Sequence, residues 1–342
     1  MIVEINLPNA GPAMQSACDS TSTTLHSNPS EVKYETLAER SPGDRPWDVH
    51  RAANDRIAAM YHTAEEFERY GSRMNDCSGR LDFAMRADDD GVIGLRLSAA
   101  HFCRVRFCPV CQWRRSLMWK ARFYKSLPDL VAAVPGGRWL FLTLTVQNCA
   151  VGDLRARLGE LSKAWGRLVK MTVFKDVEGW VRTVEVTRGR DGSAHPHYHV
   201  LLLVKSTYFK PGHYITQAQW GDAWKAAARL PYDPIIDVRA VRSKGATGST
   251  SAVSGAIAET LKYAVKPSDM EADAEWFFEL TRQLHRLRFV AAGGVLKDVF
   301  KDEETEADLL VQDENPDGSH DLGQLTFNWA PSKQHYRRKV GP

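Results

Sequence analysis

Two short segments of this chain carry residue types that can perform metal-assisted chemistry. The first, residues 195–199, reads His-Pro-His-Tyr-His and leads into the apolar run 200–204. Side chains alternate between the two faces of a strand, so His197 and His199 are predicted to project from the same face. Such a pair suits a divalent metal ion, although a hydrogen-bonded surface pair has the same pattern.

The second segment, residues 259–266, has helical spacing and contains a tyrosine. Positions i, i+3, i+4 and i+7 share one face of a helix, which predicts a polar stripe of Glu259, Lys262, Tyr263 and Lys266. A tyrosine phenol has a reference pKa of about 10, so it needs a cation or a metal ion to act as a nucleophile at neutral pH. Lys262 and Lys266 offer that cation, while Glu259 either activates water or pairs with Lys262.

Glu185 is the candidate for a third metal ligand. In an antiparallel hairpin, the residue numbers of each facing pair add to the same value. If that value is even, Glu185 lies opposite or diagonal to His199 on the same face. Two imidazoles and one carboxylate hold a divalent ion and leave positions open for water and a phosphate oxygen. This mixed ligand set favours Mn²⁺ or Mg²⁺, with zinc as an alternative. A charged residue on an exposed strand face is the other interpretation of Glu185.

Four of the six cysteines have the spacing of metal ligands. Cys77, Cys103, Cys108 and Cys111 follow the pattern Cys-x25-Cys-x4-Cys-x2-Cys, which predicts a structural Zn²⁺ site. His101 is an alternative fourth ligand, and four reduced thiols without a metal are the competing interpretation. Cysteines in a chain that begins without a signal-peptide pattern are not expected to form disulfides, so we place the protein in the cytoplasm.

A basic stretch surrounds these cysteines. Residues 101–140 hold eight Lys or Arg and one Asp, whereas residues 301–317 hold eight acidic residues and one Lys. Basic side chains that neutralise phosphates supply most of the sequence-independent affinity for nucleic acid. The predicted DNA contacts are Arg104, Arg106, Arg114, Arg115, Lys120 and Arg122.

The elements that must position these residues have a recognisable order. Strands are predicted over 139–146, 180–187, 197–204 and 235–241, with helices beginning near Asp153 and Thr216. The order β-α-β-β-α-β predicts an α+β fold with a ferredoxin-like (split β-α-β) antiparallel sheet, helices on one face and the other face free for a site.

The chain is long enough for several domains. We expect a mobile N-terminal tail over 1–48, a helical and zinc-binding DNA-contact module over 49–130, a nuclease domain over 135–270, packing helices over 271–300, and an acidic linker with a basic C-terminal tail over 301–342.

Three of these segments together resemble a known family. Phe141-Leu-Thr-Leu-Thr145, the histidine segment and Tyr263-Ala-Val-Lys266 are similar to motifs I, II and III of the HUH endonucleases, specifically plasmid rolling-circle replication initiators with one catalytic tyrosine. The resemblance covers roughly residues 103–267. Glu259 and Lys266 occupy the positions where some relatives carry a second tyrosine, which disfavours two-tyrosine mechanisms.

The resemblance implies a function for each part. His197 and His199 would bind the metal ion, Tyr263 would nick one strand and stay on the 5′ phosphate, and Glu259 would take part in termination. The expected partners are single-stranded or cruciform origin DNA and a host helicase and polymerase. A transposase or mobilisation relaxase of the same superfamily, and a zinc-containing DNA-binding repressor without nuclease activity, are the alternative functions.

Overall fold

The computed structural model describes residues 33–87, 91–241, 249–262, 264–300, 309–310 and 321–340. Its helices are α1 (Leu37–Arg40), α2 (Pro46–His62), α3 (Glu68–Asn75), α4 (Pro109–Ala133), α5 (Leu154–Leu168), α6 (Gln217–Ala228), α7 (Ser249–Thr260), α8 (Pro267–Glu271) and α9 (Ala274–Gln283). Its strands are β1 (Lys33–Thr36), β2 (Arg80–Ala87), β3 (Ile93–Ala100), β4 (Arg138–Thr145), β5 (Val177–Arg188), β6 (Ala194–Val204), β7 (Ile236–Ala240), β8 (Val290–Gly294), β9 (Asp321–Ala330) and β10 (His335–Val340). Tyr263 lies outside the described residues.

The strands form two antiparallel sheets. The first has the order β1-β10-β9-β2-β3 and the second the order β7-β4-β6-β5-β8. From β4 to β7 the elements follow each other as β-α-β-β-α-β, with β6 between β4 and β5. The predicted α+β class is confirmed, while the ferredoxin-like assignment stays a prediction.

Local sequence explains how the central hairpin forms. β5 and β6 are joined by a turn in which Gly192 has a φ of +80°, a conformation that favours glycine. The Asp191 carboxylate accepts hydrogen bonds from the backbone N–H and the hydroxyl of Ser193. The turn therefore fixes the register that aligns the histidines with β5.

The two faces of the second sheet are both covered. Tyr198, Val200 and Leu202 of β6 pack in the main core together with Leu161 and Trp165 of α5. The opposite face forms a second cluster that contains Leu201 and Leu203 of β6, Phe123 of α4, Ile257 of α7, and Leu261. The prediction of a free face was therefore wrong for the apolar half, which α4 and α7 bury, whereas His197 and His199 lie on the other half of the same face.

The structure also differs from the expected domain boundaries. Residues 33–48 form β1, α1 and the start of α2 instead of a mobile tail, because Leu37 and Trp47 are buried. Residues 335–340, placed in a basic tail, form a strand of the first sheet. Residues 290–294, placed among packing helices, form an edge strand of the second sheet. None of the helices in the described ranges is long and apolar enough to cross a membrane.

Candidate active site

The β5–β6 hairpin brings the predicted metal ligands together. Glu185 pairs with His197 and Thr183 pairs with His199, so Glu185 lies diagonal to His199 on the same face. The residue numbers of facing residues therefore add to an even number, which is the register predicted for the site. Glu185 Oε2 lies 2.7 Å from His199 Nε2 and 3.3 Å from His197 Nε2. All three side chains are buried, with Glu185 only 2% exposed. The alternative of an exposed strand glutamate does not hold.

These separations fit a divalent metal ion. The three ligand atoms lie within 4.8 Å of one another. In an octahedral Mg²⁺ site, adjacent ligands each about 2.1 Å from the ion lie about 3 Å apart, and the two distances from Glu185 to the imidazoles bracket that value. The residues therefore fit a centre with one carboxylate and two imidazole nitrogens.

Contacts behind the imidazoles fix their orientation. His199 Nδ1 lies 3.3 Å from the hydroxyl of Thr143, on the neighbouring strand β4. His197 Nδ1 lies 3.2 Å from the carbonyl oxygen of His195. Partners of this kind hold the ring so that Nε2 points to the ligand position. Both Nε2 atoms consequently converge on Glu185.

The Glu185 carboxylate is held in its charged form. Burial alone would raise its pKa, but hydrogen bonds from His197, His199 and Lys262 outweigh burial and place the pKa well below its usual value. Lys262 Nζ lies 2.8 Å from Glu185 Oε2. Burial opposes the charge of this lysine, yet its contacts with Glu185 and Glu259 raise its pKa. The site is therefore charged at neutral pH.

The polar stripe predicted for residues 259–266 is only partly formed. Helix α7 ends at Thr260, and Lys266 is an exposed residue that precedes α8. The prediction that Lys266 shares a helical face with Glu259 was therefore wrong. Lys262 does reach Glu259, with Nζ 2.5 Å from Oε1. This ion pair is one of the two roles expected for Glu259.

The four predicted cysteine ligands form a second buried cluster. The sulfur of Cys77 lies 3.5 Å from that of Cys108 and 3.6 Å from that of Cys111, and Cys103 lies 3.7 Å from Cys111. Four thiolates about 2.3 Å from a tetrahedral Zn²⁺ would be about 3.8 Å apart. The cluster therefore fits a structural zinc ion. His101 is exposed and does not belong to this cluster, so the alternative fourth ligand was wrong.

Backbone amides support the sulfur atoms. The N–H groups of Arg104 and Cys111 donate to cysteine sulfurs at 3.3 and 3.4 Å. The bond from the Cys111 N–H to the Cys108 sulfur makes Cys108 the N-cap of α4, directly before Pro109. Hydrogen bonds to a sulfur stabilise its charged form, which is the form that binds a metal ion. The loop and the start of α4 are thus shaped around the cluster.

The predicted DNA contacts do not share one environment. Arg104 is exposed, and the Arg106 guanidinium lies 4.5 Å from the centre of the Phe289 ring. Arg115 donates to the carbonyl of Arg104. Lys120 and Arg122 are half-buried on α4, and Arg122 lies over the Trp119 ring.

Arg114 is a structural residue. It is 6% exposed, and its guanidinium donates to the backbone carbonyls of Leu309 and Leu310 at 2.7 and 2.6 Å. It also lies over the rings of Trp47 and Trp113. The prediction that Arg114 contacts DNA was wrong, because its donors are used inside the protein.

Sequence reasoning missed the residues that complete the site. Thr143 and the ion pair between Lys262 and Glu185 depend on contacts between distant segments. Arg288 and Phe289 line a cavity beside Lys262, yet they lie in a stretch expected to be packing helix. The pairing of the following strand, β8, with β5 carries no local signal that could have placed them there.

The chain matches a family model described as "Replication protein" over residues 94–337, which is more than half of its length. The chain belongs to this family. Among curated relatives, a "Protein rep" of Streptococcus pneumoniae serotype 2 is 31% identical over 302 residues, 86% of this chain and 92% of that protein. A "Protein rep" of Lentilactobacillus hilgardii is 34% identical over 308 residues, 87% of this chain and 96% of that protein. A "Replication protein" of Staphylococcus aureus is 34% identical over 225 residues, 62% of this chain and 95% of that protein.

Membership of the Rep family confirms the resemblance to plasmid rolling-circle replication initiators. No solved structure matches the chain. The two clusters described above therefore belong to a replication protein with an α+β fold.

Proposed function

We propose that this Rep protein nicks one DNA strand at a plasmid origin by a metal-dependent transesterification. The observation that carries the proposal is the convergence of His197 and His199 on the buried Glu185 carboxylate. A metal ion held there would be Mn²⁺ or Mg²⁺ and would act as a Lewis acid toward a phosphodiester oxygen. The protein would thus be a site-specific single-strand endonuclease and strand transferase.

Tyr263 is the proposed nucleophile. The phenol would lose its proton to water, its oxygen would form a bond to phosphorus while the bond from phosphorus to the 3′ oxygen breaks, and the leaving 3′ oxygen would take up a proton from water. The product is a 5′-phosphotyrosine link and a free 3′ hydroxyl, so the strand can later be rejoined by the reverse reaction. Support comes from the neighbouring residue, since Lys262 reaches Glu185 at 2.8 Å.

The charged side chains around this position have separate proposed roles. Lys262 would favour the phenolate of Tyr263, a role predicted jointly for Lys262 and Lys266. Glu259 holds the Lys262 ammonium in this structure and is 49% exposed at its side chain, so it is open to water. We propose that Glu259 also activates water when the strand is released.

The cysteine cluster is proposed to hold a structural Zn²⁺ that keeps the loop and α4 rigid. The proposed DNA contacts are Arg104, Arg106, Arg115, Lys120 and Arg122, without Arg114. Partners would be single-stranded or cruciform origin DNA and a host helicase and polymerase, with the protein in the cytoplasm. The relatives described above are named as replication proteins, which favours this role over transposition or mobilisation.

A nicking assay tests the proposal. The full chain is incubated with Mn²⁺ and an end-labelled origin oligonucleotide, and covalent adducts are separated on a denaturing gel. We expect an adduct with the wild type and with the control Tyr214→Phe, whose phenol is exposed on another segment. Tyr263→Phe and Glu185→Gln should form at least about 100-fold less, since each removes a group required for the chemical step. An adduct of wild-type yield with Tyr263→Phe would overturn the assignment of the nucleophile.

A further inference from the structure

A cavity of about 410 Å³ lies between the second sheet and residues 103–119, the cysteine loop with the first half of α4, which we call the cysteine module. One wall is formed by Ser116 and Trp119 of α4, and the opposite wall by segment 287–290. Its floor includes Thr183 of β5 and Lys262. Because Lys262 Nζ is 2.8 Å from Glu185, the cavity opens directly beside the candidate metal ligands. A cavity of this size can enclose a ligand of roughly nucleotide dimensions.

Five cationic side chains from four segments line this cavity. Arg104 and Arg106 come from the cysteine loop, Arg115 from α4, Arg288 from the stretch before β8, and Lys262 from the stretch after α7. No aspartate or glutamate occurs among the described residues that line it. Lys262 is already balanced by Glu185 and Glu259, but bringing four arginines to one cavity is unfavourable unless an anion balances them. The charge therefore favours an anionic ligand.

Aromatic rings accompany these cations. Phe289 lines the cavity, and the Arg106 guanidinium lies 4.5 Å from the centre of its ring. Trp119 packs edge-on against Phe300, with 5.3 Å between the ring centres, and both rings line the cavity. Aromatic faces next to cations are the combination that binds the bases and the backbone of single-stranded nucleic acid. A free inorganic anion would not need the rings.

We propose that this cavity binds one nucleotide of the single strand, adjacent to the phosphodiester that is cut. Arg104 and Arg288 would contact its phosphates, and the base would stack on Phe289. That the nucleotide lies next to the phosphodiester that is cut rests on the proposed nicking function. Binding of the nucleotide does not itself require cleavage. The cysteine module would then form one wall of the substrate site in addition to stabilising the fold.

The test measures binding without catalysis. A fluorescein-labelled oligothymidylate of about 12 nucleotides is titrated with the full chain by fluorescence anisotropy, at several NaCl concentrations and without added Mn²⁺ or Mg²⁺. The slope of log K against log salt is negative for single strands, and each lost phosphate contact reduces its magnitude by about 0.7. We expect the double variant Arg104→Gln with Arg288→Gln to reduce the magnitude of the slope by about 1.4.

Matched variants separate charge, stacking and folding. Lys170→Gln removes one exposed charge at the end of α5, on the opposite side of the sheet, and should leave the slope unchanged. Arg288→Lys keeps the charge and should keep the slope. Phe289→Leu should weaken binding about tenfold at one salt concentration without changing the slope. Circular dichroism of each variant checks that it is folded.

The outcomes distinguish this proposal from the nicking function. A folded double variant with the wild-type slope would overturn the nucleotide site, even if the wild type nicks DNA. If the double variant has a slope of smaller magnitude but the wild type never forms the covalent adduct, the result would support the nucleotide site and contradict the nicking chemistry. If Phe289→Leu binds as tightly as the wild type, the base does not stack there and the proposed occupant is wrong.

Discussion

Replacing Arg114 with methionine tests whether this buried arginine stabilises the protein or contacts DNA. Methionine keeps an unbranched chain of similar size, so the change removes mainly the guanidinium. In the structure that group donates to two backbone carbonyls, at 2.7 and 2.6 Å. We expect the variant to be less stable and to bind DNA with an unchanged dependence on salt.

The magnitude follows from these contacts. Hydrogen bonds from a charged group contribute about 1.5–3 kcal/mol each, and the contacts with Trp47 and Trp113 add about 1 kcal/mol. Burial opposes the charge and lowers the pKa of Arg114 to about 10, so the cost of desolvation offsets part of this gain. We therefore expect the free energy of unfolding to fall by about 3 kcal/mol.

Thermal unfolding followed by circular dichroism measures this effect. With an unfolding entropy of about 2.1 cal/mol/K per residue, 3 kcal/mol lowers the Tm of a 342-residue chain by about 4 °C. Arg288→Gln is the matched control, because it removes an exposed arginine and should leave the Tm within about 1 °C. The reasoning is refuted if Arg114→Met melts like the wild type while the salt dependence of its DNA binding falls.

Two further predictions concern the candidate metal sites. Cys108→Ser should lose one zinc ion per chain in elemental analysis and lower the Tm by roughly 10 °C. Cys149→Ser, outside the cluster, should keep the zinc content and the Tm of the wild type. Wild-type protein that contains no zinc would contradict the site. The depressed pKa of Glu185 contributes stability that is complete above about pH 4.3 and is lost as the pH falls toward the folded-state value. Lys262→Met removes one of the groups that lower this pKa. The Tm difference between the variant and the wild type should therefore stay constant from pH 7 to about pH 4.3 and narrow below it. A difference that widens in acid would show that the lysine does not act through Glu185.

The sequence predicted the centre of the second sheet because its strands are regular and local. The alternation in residues 197–204 places the histidines on one face and Tyr198 and Val200 in the core, as observed. The cysteine spacing was equally informative, since Cys108 and Cys111 lie within one turn of the start of α4. Period and spacing are properties of short segments, so they can be recognised without the tertiary fold.

Other elements depend on partners far away in the chain. β8 has the sequence Val-Ala-Ala-Gly-Gly and no strand pattern, and it pairs with β5 more than one hundred residues earlier. Gly294 has a φ of +61°, and a Cβ atom there would lie 2.1 Å from the carbonyl oxygen of Glu178. Only glycine permits this close approach, and that requirement is visible only in three dimensions.

Two side-chain assignments failed for physical reasons. Arg114 and Arg115 are neighbours in one basic helix, and the sequence does not tell which of them turns toward Leu309 and Leu310. The end of α7 was misplaced because the spacing of apolar residues continues to Val265 and Pro267 is the first residue that forbids a helix, whereas α7 ends at Thr260. Periodicity therefore extended the helix beyond its observed end, and no local residue pattern marks that end.

Both extremities of the described chain meet in the first sheet, where Lys33 faces Val340 across β1 and β10. The stretch that matches the family model, 94–337, contains β9 but leaves out β1, β2 and half of β10. A fragment cut at those limits would leave β9 without its partner β2 and expose the aromatic ring of Phe327 that β2 covers. Shortened versions made for crystallisation or for tagging should therefore keep residues 33–340 together, and labels at the two ends would sit close enough to report on each other.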